Sequence, residues 1–112
     1  MEGYMLNLEN LQQALDGDEA LLEELLSTFL QSTREDILNL KAAVNNQQSA
    51  LIISFAHRIK GAAAIVGAGQ LASLAGDLEH SGQQAEEPDR YEHLFIELQD
   101  SFKSIEALYP NL

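Results

Sequence analysis

Between Asp18 and Asn45 no proline or glycine interrupts the chain. Apolar side chains return there every third or fourth position: Leu22, Leu25, Leu26, Phe29, Leu30, Ile37, Leu40 and Val44, with Thr33 in the same row. That spacing draws one stripe along an α-helix, whereas a strand alternates its faces every second residue. Asp18 suits the N-cap, and Glu19, Glu23 and Glu24 load the first turns with the charge that the helix dipole favours. At 1.5 Å per residue the helix is roughly 40 Å long, and its apolar stripe has to be covered along that length. The remaining sequence must therefore supply further helices.

It does so in order. Asn7 caps a short helix through Leu15 with Leu8, Leu11 and Leu15 on one side, and Asp16-Gly17 ends it. After a polar turn from Asn45 to Ser49, the next helix places Leu51, Phe55, Ile59, Ala62 and Val66 on one stripe with Ile52, Ala56 and Ala63 beside it. Gly67-Ala68-Gly69 closes that helix. Another spans Gln70 to Ser81, turns Leu71, Leu74, Ala75 and Leu78 inward, and stops at Ser81-Gly82. Gln83 to Asp89 reads as an acidic loop, and Pro88 suits either that loop or the first turn of the last helix. The last helix carries Leu94, Phe95, Leu98, Phe102, Ile105 and Leu108 inward and ends at Tyr109-Pro110.

Met1 to Leu6 shows no period and reads as a leader. Four amphipathic helices on short connections predict an all-α protein, an antiparallel up-down-up-down four-helix bundle with a short extra N-terminal helix. At 112 residues the chain makes one domain, over 1–112, and is too small to hold a nucleotide-binding kinase domain besides.

Eighteen acidic residues against six basic ones give a formal charge of -12, which opposes binding to nucleic acid or to an anionic membrane surface. There is no cysteine, so disulfides, thiolate metal sites and thiol nucleophiles are excluded. No stretch approaches the roughly 20 apolar residues of a membrane span. A cytoplasmic protein is the expectation. Of the six basic residues, Arg58 and Lys60 fall within three positions of His57, so positive charge gathers there.

His57 stands out for its position. At 100° per residue it lies about 160° around the helix from both Phe55 and Ile59, so its imidazole points away from the apolar stripe. Lys60 and Gly61 follow three and four residues later on the same face. An exposed imidazole, an ammonium within reach and a missing side chain make a small site for a phosphoryl group. A glycine inside a helix costs roughly 1 kcal/mol, which calls for a reason. Either an approaching partner needs the space at Gly61 or a neighbouring helix packs there.

The run His57-Arg58-Ile59-Lys60-Gly61, followed by Gly67-Ala68, Leu71 and Leu78-Glu79, resembles the signature of histidine-containing phosphotransfer (HPt) domains. These helical bundles relay phosphoryl groups between receiver domains in multistep two-component signalling. Many relatives carry Ser after the glycine where this chain has Ala62, which removes one hydroxyl contact and none of the principal parts.

The resemblance implies that His57 is the phosphorylated nucleophile, that Lys60 stabilises charge on the phosphoryl oxygens, and that Glu79 orients His57 by holding its inner nitrogen. Gly61, Arg58, Ile53 and Ala64 are the expected binding residues: Gly61 for close approach, Arg58 toward the phosphoryl group or the partner's acidic rim, Ile53 and Ala64 as an apolar docking strip. No cofactor of its own is implied, since Mg²⁺ comes with the receiver. The implied role is that of a monomeric phosphocarrier without an ATP site, acting with receiver domains of response regulators or hybrid kinases, and not an enzyme by itself. Two other readings compete. One is the phosphotransfer domain of a chemotaxis-type histidine kinase, fed from ATP; the other is an acidic helical interaction bundle in which His57 is incidental.

Overall fold

The computed structural model describes residues 6–112, and among these five helices follow one another: α1 (Leu8–Ala14), α2 (Glu19–Asn45), α3 (Ser49–Ile65), α4 (Gly69–Gln83) and α5 (Pro88–Leu108). The expected N-caps are in place. Asn7 Oδ1 accepts from Asn10 N–H at 3.3 Å and Asp18 Oδ1 from Leu21 N–H at 3.0 Å, each satisfying a backbone donor that the helix start leaves free. Pro88 opens α5, where its missing N–H costs nothing. The connection before it is thus only residues 84–87, shorter than the expected loop.

α2 through α5 run alternately up and down, and the bundle measures 44 × 23 × 22 Å, close to the length of α2. α3 packs on α2 and most extensively on α4, while α5 closes the ring against α4 and α2. The core is aliphatic, with Leu40, Ile52, Ile59, Leu71, Leu78 and Leu98 fully buried. Burying side chains of this size contributes about 2 kcal/mol apiece. Phe29 of α2 and Phe102 of α5 meet edge to face, ring centres 6.1 Å apart.

Three expectations are corrected. Leu6 is no part of a leader: it is 1% exposed and sits in the core, while residues 1–5 lie outside the described ones. The buried row of α3 is Ile52, Ala56, Ile59 and Ala63, with Val66 just beyond, whereas Leu51 is 42% exposed and Phe55 and Ala62 are half-buried. Two of these four inward positions are alanines, Ala56 and Ala63. Finally, Gly82 does not stop α4, which continues through Gln83 with Ser81 and Gly82 both buried.

The end of α3 ties the short helix down. Gly67 takes a left-handed φ of 73°, and Ala68 N–H donates to Ala63 C=O at 2.8 Å, the closing bond of a helix C-cap. The Gly67 carbonyl then accepts from Asn7 N–H at 3.0 Å. A Cβ on Gly67 would stand 2.6 Å from that of Asn7, so the glycine is needed for close approach as well as for its φ.

Candidate functional site

α3 and α4 run antiparallel in a register that pairs Ile53 with Gly82, His57 with Glu79, and Lys60 with Gly76, one pair per turn. His57 leaves the outer side of α3 with 67% of its side chain exposed. Its Nδ1 lies 2.9 Å from Oε2 of Glu79, and Lys60 Nζ donates to the other oxygen, Oε1, at 2.6 Å. Only 12% of the Glu79 side chain is exposed, and one carboxylate thus serves two partners from α3.

The electrostatics follow from this geometry. The Lys60 ammonium holds the Glu79 carboxyl below its ordinary pKa; partial burial pushes the other way, and His57 adds to the lowering. Glu79 is therefore a carboxylate near neutral pH and can only accept hydrogen bonds. The neutral imidazole must then carry its proton on Nδ1, which leaves the lone pair on Nε2, at the outer edge of the ring. An exposed ring nitrogen with its lone pair free is a nucleophile.

Among the described residues, and apart from the backbone of its own turn, nothing lies within 4 Å of where a Cβ on Gly61 would be. Of the two reasons for a mid-helix glycine, packing against a neighbouring helix is excluded, and open space beside His57 remains. Ala64 is exposed on the same side of α3. Ile53 is only half-buried, since it packs on Gly82. Arg58 goes elsewhere: its Nε donates to Asp36 Oδ1 on α2 at 3.1 Å. His57 and Arg58 thus reach opposite neighbours of α3. Arg58 is expected toward the phosphoryl group or an acidic rim on the partner; its Nε instead engages a carboxylate only 8% exposed, which needs a cation.

The sequence reading misses the role of two residues. Asp36 falls in the buried row of α2, between Thr33 and Leu40, and an acid in such a row signals a partner on the next helix. Gly82 falls four residues after Leu78 on the inward face of α4, a position that marks close packing as readily as a helix end.

The site has a counterpart in known proteins. The sequence model of the Hpt domain matches residues 24–108, which contain His57, Lys60 and Glu79. The chain belongs to the Hpt family.

As an Hpt domain it is a histidine phosphotransfer module, and solved Hpt structures share its fold. Histidine-containing phosphotransfer protein B (HptB) from Pseudomonas aeruginosa PAO1 is 25% identical and superposes with a TM-score of 0.86 over 95% of this chain and 91% of that one. The HPT domain of the Hpt sensor hybrid histidine kinase from Shewanella is 21% identical, with a TM-score of 0.80 over 95% and 91%. No curated protein sequence matches. Among the described residues, no helix of this Hpt domain is long and apolar enough to cross a membrane.

Proposed function

We propose that His57 accepts a phosphoryl group from the aspartyl phosphate of a receiver domain and passes it to the aspartate of another. The Nε2 lone pair attacks phosphorus, the acyl P–O bond breaks, and the aspartate leaves as a carboxylate while a P–N bond forms. Nδ1 keeps its proton throughout, and the Glu79 carboxylate faces the positive charge that develops on the ring. Back-transfer to a second aspartate reverses each step.

The observation that carries this reading is the pairing of Nδ1 with Glu79 at 2.9 Å on an imidazole that is otherwise exposed. Lys60, 41% exposed, sits one turn away and places a positive charge beside the incoming phosphoryl oxygens. Most of the catalysis in phosphoryl transfer is positioning and charge neutralisation, and an Hpt domain shares that work with its partner. Both oxygens of Glu79 are engaged by His57 and Lys60, so Glu79 serves the imidazole and not a metal ion; the Mg²⁺ comes with the receiver. One bundle holds one complete site, so the module acts as a monomer, and its partners are cytoplasmic receivers.

Two donors separate the readings. With Mg²⁺ present, a phosphorylated receiver should label this protein within the time that receiver phosphate survives, and a chemotaxis-type kinase core with ATP should not. Labelling by the kinase core alone would make the protein the phosphotransfer part of such a kinase. Labelling by neither would leave an interaction bundle.

A further inference from the structure

On α4, Glu79 is flanked by a glycine three residues to either side, Gly76 and Gly82. The two differ in what surrounds them. A Cβ on Gly76 would meet only the Lys60 stem, at 3.5 Å, an ordinary contact with a flexible side chain. A Cβ on Gly82 would stand 2.8 Å from Cγ1 of Ile53, closer than carbon atoms approach, with Ile52 Cγ2 at 3.5 Å and Ser49 C=O at 3.6 Å behind it. Ile53 cannot easily yield, because a β-branched side chain in a helix is held to one χ1 rotamer. The backbones of α3 and α4 would have to separate instead.

Ile53 and Gly82 lie one turn from His57 and Glu79 respectively, on the same faces of the same two helices. We propose that Gly82 is a positioning residue for His57: by lacking a side chain it lets α4 approach α3 closely enough for Glu79 to hold the imidazole Nδ1–H, which fixes Nε2 as the nucleophile. Separation of the helices at Gly82 lengthens the bond between His57 and Glu79 first. The imidazole then divides between its two tautomers, and only one of them presents a lone pair on Nε2. The kinetic consequence of this assignment rests on His57 being the phosphoryl acceptor; the structural one does not.

The test is Gly82→Ala, Ile53→Ala and the double variant, with Gly69→Ala as a control, a helix glycine with nothing within 4 Å of its missing Cβ. Nitrogen-15 NMR of the neutral histidine ring reads the tautomer, and phosphoryl uptake from a phosphorylated receiver reads the rate. The wild type and Gly69→Ala should hold His57 in the Nδ1–H form. Gly82→Ala should give a mixture and transfer about tenfold more slowly, as a displacement of under 1 Å at a reacting group does. Ile53→Ala/Gly82→Ala should recover the tautomer and the rate of Ile53→Ala alone, because the clashing carbon is gone. A folded Gly82→Ala with wild-type tautomer and rate would overturn the proposal. Should that variant not fold, the double variant decides alone: the Nδ1–H form upholds the proposal and a mixture overturns it. If the wild type takes up no phosphoryl group, the phosphotransfer reading falls while the tautomer comparison still judges Gly82.

Discussion

Nδ1 of His57 stands 2.9 Å from Oε2 of Glu79, on a neighbouring helix and 22 residues further along the chain. The bond needs an acceptor there, and it does not need a full charge. Glu79→Gln, whose amide oxygen still accepts from Nδ1–H, should keep transfer within a few-fold of wild type. Glu79→Ala should slow it by about tenfold or more, the worth of one hydrogen bond to a charged group. Rates of label transfer from one receiver preparation check both.

Lys60 governs the charge state of that acceptor, and acid stability reads it. Glu79 has a folded pKa below its value of 4.5 in a free chain, with Lys60 the largest cause. A depressed carboxyl contributes stability that is present above the unfolded pKa and is lost as pH falls through the folded one. Lys60→Met removes the largest cause of the depression. The stability gap between wild type and Lys60→Met should therefore be full above pH 4.5 and should shrink on acidification below it, as urea unfolding at stepped pH would show.

Arg58 ties α3 to α2 through Asp36. Arg58→Ala strands the Asp36 carboxylate, and because the arginine end of the pair is 60% exposed the loss should be about 1 kcal/mol. Asp36→Asn/Arg58→Ala should recover part of it in a double-mutant cycle. Transfer from the receiver should stay within about twofold of wild type in a cycle this local, since no hydrogen bond links Arg58 to His57. A tenfold loss of transfer at unchanged stability would return Arg58 to the site.

At Gly61 stability and activity should move in opposite directions. A Cβ there meets none of the described residues beyond its own turn, so Gly61→Ala should stabilise the helix by about 1 kcal/mol and raise Tm by about 4 °C. If a receiver docks over His57, the same Cβ fills space beside that imidazole, and transfer should slow. Calorimetry and the label-transfer rate, measured on one preparation, show whether the signs differ.

The sequence carried the helices because each stripe is a local pattern: Leu26, Phe29, Leu30, Ile37 and Leu40 needed no knowledge of their neighbours. The rotation of α3 is harder to read, because Ala56 and Ala63 are only weakly apolar although both are fully buried. Gly82 is hard to read for a different reason. A glycine near a helix end looks like a stop until the opposing Ile53 is in view. Leu6 was set aside because one apolar residue makes no period, and only the docking of Asn7 on Gly67 shows why it is buried. The exposure of His57 followed from its angle to Phe55 and Ile59. Its meeting with Glu79 did not, since nothing local joins residues on two helices; that pairing was expected from the family resemblance, and the structure brings the two together.

The pairing of Nδ1 with Glu79 leaves phosphoryl chemistry to the outer nitrogen of His57. The most direct measurement is phosphorus-31 NMR of the protein after incubation with a phosphorylated receiver and Mg²⁺, in wild type and in His57→Gln. One phosphoramidate resonance, acid-labile and base-stable, assigned to the Nε2 adduct and absent from His57→Gln, is the predicted result. A phosphoryl group on Nδ1, or an adduct that survives His57→Gln, would contradict the account.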